Sequence, residues 1–395
     1  MQTSAGPLGG ILVVDLSRAL AGPHAAMMLS DLGARVIKVE SPGSGDDSRG
    51  WGPPFVGPAD DPISTYFLSC NRNKESVTLD LKDADGQDVL AGLVRQADVL
   101  VENFRPGVLD RLGFPVKRLH QLNPRLIVLS ISGFGHDGPE AHRAGYDQIA
   151  QGEAGLMSLT GPGPDDPTKV GVPIADVLAG MNGAFGVCAA LHERNRTGRG
   201  RVVRTSLLGA IVGVHAFQGT RWTVAGELPQ AQGNHHPSIS PYGLFACADG
   251  IVQISIGSER LWQGFCAAFG IDARAELATN AQRVAHRDEV TKLVNNTFAA
   301  FSLDRLLSLL AETGIPAGEV KTLDRVYSWE QTLSQGLLIE VDHPVLGTIS
   351  LPGPTLRFDD NPYAGGRAAH TPPPTLGEHN EPVRRWLRDR EADRF

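Results

Sequence analysis

Basic charge is what this chain has too little of. Its 36 Lys and Arg stand against 44 Asp and Glu, a formal net charge of -8 at pH 7. No positive excess is left to neutralise phosphates, so a nucleic-acid partner is excluded. Long uncharged apolar runs are scarce too. The longest, 177–192 and 205–220, fall short of the roughly 20 residues a bilayer demands and are interrupted by Gly and His. Both read as core helices, and no membrane partner is expected. The four cysteines, Cys70, Cys188, Cys247 and Cys266, are scattered, with no Cys-x-x-Cys pair and no paired His at zinc spacing. Reduced thiols and no metal follow. The opening Met-Gln-Thr-Ser-Ala-Gly-Pro has neither the basic start nor the apolar core of a secretory signal, and the expected location is cytoplasmic.

Three familiar motifs are missing as well. Leu16-Ser-Arg-Ala-Leu-Ala-Gly22 follows the first apolar run where a dinucleotide fold would carry Gly-x-Gly-x-x-Gly. No Gly-x-x-x-x-Gly-Lys-Ser/Thr phosphate loop is present, and no Gly-x-Ser-x-Gly elbow supplies a serine nucleophile. The adjacent His235 and His236 diverge on any regular backbone, which suits loop histidines better than a metal pair.

What is there is an ordinary globular chain of 395 residues, 41% hydrophobic and 20% charged, long enough for two or three full cores. Strand and helix alternate from the start. Gly10-Ile-Leu-Val-Val-Asp-Leu16 is a strand buried on both faces. Pro23 opens a helix that Gly33 closes, and Ala34 to Glu40 is the next strand. Strands are expected at 76–82, 98–103 and 126–132, with a helix at about 84–96. The pattern predicts an α/β fold, a doubly wound sheet in residues 1–224. A smaller domain over 225–330 mixes a strand pair turned at Asp249-Gly250 with helices. A C-terminal segment, 331–395, returns through a hairpin near 342–353 and a charged surface helix.

The sharpest candidate for chemistry is Asp176. In Gly171-Val-Pro-Ile-Ala-Asp176 it stands before a long apolar segment and has no charged sequence neighbour until Glu193. One reading makes it an N-cap, because a carboxylate accepts the free amides of a first helical turn. The other makes it a nucleophile, held ionised by the helix dipole. Gly180, Gly183 and Gly186 let another backbone or a ligand approach the same helix.

Many short segments stand in a fixed order along the chain: Asp15-Leu-Ser-Arg-Ala-Leu-Ala-Gly-Pro23, Gly33-Ala-Arg-Val-Ile-Lys38-Val-Glu40, Gly45-Asp46, Arg49-Gly-Trp51, Asn73-Lys74, Leu79-Asp-Leu-Lys82, Val101-Glu-Asn-Phe104, Leu109-Asp-Arg-Leu-Gly113, Gly145-Tyr-Asp147, Asp176 and Leu376-Gly-Glu-His379. Taken together they resemble the class III CoA-transferase family, which includes formyl-CoA transferase, carnitine CoA-transferase and α-methylacyl-CoA racemase. The resemblance implies a Rossmann-like large domain built from both chain ends, a smaller α+β domain, and two subunits interlocked as a homodimer. It implies CoA transfer from an acyl-CoA to a free carboxylic acid, through an aspartyl anhydride and an aspartyl-CoA thioester on Asp176. It assigns CoA contacts to Ala19, Lys38, Leu79, Lys82, Asn103, Phe104, Arg111 and Leu112.

Tyr146 falls at the second catalytic position, where racemase relatives carry a histidine. A phenol with pKa about 10 is a poor base for α-proton removal, which favours transfer over the racemase or epimerase alternative; a non-catalytic CoA-binding protein is the third reading. The resemblance makes a dicarboxylic acyl group such as succinyl plausible; Arg49, Arg143 and His236 are candidates to pair its second carboxylate, His236 and Tyr242 of the Gly233–Tyr242 loop are candidates to approach the acyl group, and Glu259 is a more remote candidate carboxylate.

Overall fold

A computed structural model of the chain describes residues 6–272, 274–358 and 365–392. The chain forms two compact units, one of Met1–Leu156, Val170–Thr220 and Trp329–Phe395, the other of Met157–Lys169 and Arg221–Ser328. The sequence reading had its boundaries at 224 and 330 and did not separate 157–169 from the large domain. That stretch joins the second unit through backbone hydrogen bonds, from Ala231 N to Ser158 O at 3.1 Å and from Gly233 N to Gly161 O at 2.9 Å. No periodicity could have announced such pairing.

The first unit is organised by six parallel strands: β1 (Leu12–Asp15), β2 (Arg35–Glu40), β5 (Lys74–Thr78), β6 (Val99–Glu102), β7 (Ile127–Ser132) and β8 (Val202–Ser206). The order across the sheet is β5-β2-β1-β6-β7-β8. A two-stranded ribbon, β3 (Phe55–Val56) with β4 (Ile63–Ser64), sits in the loop after β2. Taken in chain order, the six sheet strands run 3-2-1-4-5-6, the doubly wound arrangement, with its switch point between β1 and β6. The inner strands β1, β6 and β7 are buried along their whole lengths, so they read as continuous apolar runs.

Alternating side chains feed two cores. Val13, Val101 and Leu129 pack beneath the helices Ala21–Asp31 and Ile174–Thr197. Val14, Leu100 and Val128 pack on the other face with Leu90, Leu93 and Leu119, and with Val383 and Leu387 of the C-terminal helix Asn380–Ala392.

Local chemistry explains most boundaries. Asp83 caps the helix Ala84–Gln96 by accepting Gly86 N at 2.7 Å. The first helix starts at Ala21, so Pro23 lies inside its first turn, where no helical N–H bond is lost. The strand expected at 76–82 pairs at Lys74–Thr78 instead. The apolar run 205–220 is broken at Val214 and His215 into the helices Leu207–Gly213 and Ala216–Ala225.

The helix Ile174–Thr197 is, by length and composition alone, apolar enough to cross a membrane. Its packing in this unit is that of a core helix. A Cβ at Gly180 would lie 2.7 Å from Ala21 O, and one at Gly186 would lie 2.6 Å from a Val203 methyl. The helix glycines therefore admit the neighbouring helix backbone and the sheet.

The second unit contains an antiparallel sheet, β9 (Tyr242–Ala246), β10 (Ile251–Ser255) and β11 (Ala317–Glu319), in the order β11-β10-β9. Phe245, Trp262, Phe265, Phe298 and Leu306 form its core. In the first unit β12 (Leu338–His343) and β13 (Gly347–Pro352) form the C-terminal hairpin.

Candidate active site

Open α/β sheets place ligands beyond the carboxyl ends of their strands, at the switch point. Here the loops leaving β1, β2, β5 and β6 surround a cleft of ≈ 530 Å³, lined by Leu16, Arg18, Glu40, Leu79, Lys82, Phe104 and Leu112 among others. Four of the expected CoA contacts, Leu79, Lys82, Phe104 and Leu112, stand on its wall. Arg111 is exposed on the short helix Val108–Arg111, between two residues of that wall, Val108 and Leu112. Asn103 braces the β1 loop instead of facing the cleft. Its Oδ1 accepts Arg18 N at 2.9 Å and its amide donates to Arg18 O at 2.8 Å. Arg18, absent from the expected contacts, lines the cleft and donates to Ser41 Oγ at 2.9 Å.

Lys38 is a correction. Its side chain is fully buried, its ammonium 2.8 Å from Asp46 and 3.9 Å from Asp15, and it donates to Ser17 O at 2.9 Å. No face remains for a ligand. Lys74, equally buried, holds Asp15 at 3.0 Å and donates to Pro23 O at 2.8 Å. Burial would lift the Asp15 and Asp46 carboxyls, but it is outweighed: Lys74 and Lys38 hold Asp15 below the usual carboxylate range, and Lys38 with the Ser48 hydrogen bonds brings Asp46 down to about 2. Burial opposes the charge on Lys38 as well, yet Asp15 and Asp46 raise its pKa. This buried lattice shapes the turn that carries Ala19, whose φ is +64° and whose N–H donates to Asp46 Oδ1 at 3.1 Å. Ala19 acts there as a backbone corner.

Asp176 occupies the first turn of the helix Ile174–Thr197, yet it is not the cap. The N-cap position is Pro173, without a side-chain bond. The free amide of Ala175 is taken by Asp147 Oδ1 at 2.7 Å, from the start of the helix Asp147–Glu153. Gln151, completely buried, fixes that carboxylate by donating to Asp147 Oδ2 at 2.7 Å while accepting Val170 N at 2.9 Å. The capping reading of the sequence therefore lands on the wrong aspartate.

The Asp176 carboxylate, part-buried and with no hydrogen-bond partner among the described residues, has its pKa pushed up from 3.8 to about 7, by burial first and by Asp147 second. The expectation that the helix end keeps it fully ionised at neutral pH is corrected accordingly. Tyr66 lies in its field: burial first, then Asp176, hold the phenol well above its ordinary pKa, so it stays a donor. Tyr66 stacks edge-on with Trp51 at 5.0 Å and packs with Val177, Leu20 and Met27. Sequence reading missed it. Its one signal was Ser64, whose hydroxyl caps the short helix Thr65–Ser69 by accepting Tyr66 N at 3.1 Å.

Tyr146, next to Asp147, is 65% exposed. Arg49 is not free for a substrate: both its Nε and Nη2 meet Glu40 at 2.7 Å, and its guanidinium lies 3.6 Å from the Phe67 ring centre. Arg143 is likewise occupied, by Glu140 at 3.1 Å and Glu153 at 2.9 Å. Both corrections have one cause, carboxylates brought close only by folding. In the second unit His236 and Tyr242 stack at 5.1 Å. There Glu259 accepts Asn280 N at 3.1 Å and so serves the helix Asn280–Ala285. Among the described residues no group of three or more His, Cys, Asp or Glu forms a metal cradle.

The geometry is thus a nucleotide-sized cleft at the switch point and, in the same unit, an uncapped carboxylate poised near neutrality beside a tyrosine. The family model for CoA-transferase family III matches residues 8–380. Mouse succinyl-CoA:glutarate CoA-transferase is 38% identical over 380 residues, covering 95% of this chain and 85% of that protein. Succinate–glutarate CoA-transferase of Agrobacterium fabrum is 38% identical over 385 residues, covering 95% and 94%. The crystal structure of a CAIB/BAIF family protein from Brucella suis, 38% identical, superimposes with a TM-score of 0.85 over 98% of this chain and 100% of that one.

Proposed function

The chain belongs to CoA-transferase family III, and from that premise we propose that it moves CoA from a dicarboxylic acyl-CoA to a second carboxylic acid, with Asp176 as the covalent carrier. The observation that carries the reading is that Asp176 plays no structural part, because Asp147 caps the helix in its place and nothing among the described residues holds the Asp176 carboxylate. A desolvated, unpaired carboxylate is costly to keep, and a nucleophile is a reason to keep it. Succinate and glutarate in the relatives' names support the dicarboxylic class.

The steps balance without a net proton. An Asp176 oxygen adds to the thioester carbonyl, the C–S bond breaks, and CoA leaves as thiolate, giving an aspartyl acyl anhydride. The thiolate then attacks the Asp176 carbonyl and releases the donor acid as carboxylate, leaving an aspartyl-CoA thioester. The acceptor carboxylate repeats the first step on that thioester, and the returning thiolate takes the acceptor's acyl group and frees Asp176. The anhydride survives only where water is excluded, and the burial that raises the Asp176 pKa limits the access of water to it. Burial thus costs ionised fraction and supplies a weakly hydrated nucleophile. The Tyr66 hydroxyl, kept protonated, offers a hydrogen bond near the reacting carboxyl. Leu79, Lys82, Phe104, Arg111 and Leu112 hold the CoA nucleotide, Lys82 and Arg111 facing its phosphates.

Incubation with succinyl-CoA, quenching with hydroxylamine and peptide mass mapping tests this directly. A hydroxamate on the peptide containing Asp176, absent from Asp176→Ala, is the expected result. No adduct with succinyl-, glutaryl- or acetyl-CoA, while CoA still binds, would refute the covalent role. We further propose a homodimer, supported by Met181 and Phe185, one turn apart on the central helix and 45% and 76% exposed.

A further inference from the structure

Behind the cleft lies a polar ladder that the transfer chemistry above does not use. Glu102, Ser130 and Arg204 are register partners on β6, β7 and β8, so their side chains leave the same face of the sheet at its carboxyl edge. Glu102 and Ser130 are buried. The Ser130 hydroxyl makes a short hydrogen bond to Glu102 Oε1, and the other carboxylate oxygen accepts Phe104 N at 2.9 Å. On its far side Ser130 Oγ meets His136 Nε2 at 2.7 Å, and His136 Nδ1 meets Ser132 Oγ at 3.4 Å. Phe104 is a wall of the cleft. One unbroken chain of hydrogen bonds therefore runs from a half-buried imidazole to the backbone of a cleft residue.

A serine hydroxyl has one proton, which fixes the direction of the chain. With Glu102 ionised, Ser130 donates to it and must accept from His136 Nε2–H, and Nδ1 then accepts from Ser132. One further proton on Nδ1 breaks nothing, because Ser132 Oγ can accept it while Ser130 continues to donate to Glu102. The relay thus has two satisfied states that differ by one proton and one unit of charge.

We propose that His136 is a positioning residue for the cleft, and that the Glu102–Ser130–His136 relay takes up a proton when the polyanionic CoA moiety fills it. The inference rests on the reading that acyl-CoA occupies this cleft. The charged groups facing the relay are known. Burial first and then Arg204 of β8 disfavour the imidazolium, while Asp137 on its own loop favours it. Burial raises the Glu102 carboxyl and Asp110 of the short helix Val108–Arg111 adds to that rise, against the Ser130 and Phe104 hydrogen bonds. The relay is therefore short of protons at His136 and reluctant to ionise at Glu102. Added phosphate charge across the Phe104 wall tilts it toward the protonated state.

Calorimetric titration of the full-length protein with CoA at pH 7, in two buffers of different ionisation enthalpy, reads the protons taken up. CoA's own phosphate ionisation is common to all variants, so the difference between proteins is the signal. Wild type is expected to take up about half a proton more than His136→Gln, which keeps a donor to Ser130 but cannot titrate. His136→Phe, which breaks the chain, is expected to weaken CoA binding about five-fold, whereas His136→Gln binds within about two-fold of wild type at pH 8, where the relay holds no extra proton. Equal proton uptake in wild type and His136→Gln overturns the relay and leaves the cleft assignment standing. A folded wild type that does not bind CoA overturns the cleft assignment itself, and the relay with it.

Discussion

Replacing Asp176 with Asn is expected to make the protein more stable, by an amount that depends on pH. The folded-state pKa is about 7 against an ordinary value of 3.8. An acid whose folded pKa is raised keeps a proton that the unfolded chain has already released. Stability is therefore lost as pH rises from about 4 to about 7, and the loss is constant above that. A difference of roughly 3 units at about 1.4 kcal/mol each sets a ceiling near 4 kcal/mol; Asp176 is only part-buried, and solvent screening brings the expectation to about 2 kcal/mol. The neutral amide of the Asp176→Asn variant carries no such cost. Wild type and variant should coincide near pH 4 and separate through pH 7, reaching a plateau of about 3–4 °C in melting temperature for the first unit. Thermal unfolding of both proteins across pH 4 to 9 measures this. A gap that does not change with pH, or a variant less stable than wild type above pH 7, would refute the claim that burial strains this carboxylate.

The same electrostatics predict that kcat/KM rises about ten-fold per pH unit below pH 7, and that Asp147→Asn, which can still accept Ala175 N, shifts that acid limb to lower pH while costing about 1–2 kcal/mol of folding stability, because its amide NH2 then faces the buried Gln151 Nε2 donor; an unmoved limb would show that Asp147 does not reach Asp176. At Gly180 a Cβ would stand 2.7 Å from Ala21 O, whereas nothing lies within 4 Å of one at Gly213. Gly180→Ala should cost about 2–3 kcal/mol in urea unfolding and Gly213→Ala nothing, and equal effects would mean that the two helices do not pack this closely. Phe185→Glu should convert a dimer to a monomer, or to misfolded chain, in light scattering after gel filtration; a folded variant of unchanged mass would place the subunit interface elsewhere.

The layered α/β character of this protein was legible in the chain alone, because it rests on short-range physics. Apolar runs such as Leu12–Val14 and Ile127–Ile131 are typical of strands buried on both faces, and Asp83 announces a helix through an amide three residues away. Also legible were Asp176, a lone carboxylate at an apolar helix start, and the residues around the cleft that resembled a known family. Which aspartate capped that helix was decided by folding, since Asp147 arrives from another helix and leaves Asp176 unpaired. Folding also sealed Lys38 between Asp15 and Asp46, and it satisfied Arg49 with Glu40 and Arg143 with Glu140 and Glu153. The line from Glu102 through Ser130 to Arg204 exists only once the order β6-β7-β8 and its register are set. Periodicity states which side of its own element a residue faces. It carries nothing about which distant charge will stand opposite, and that pairing sets the ionisation, and so the chemistry, of each carboxylate here.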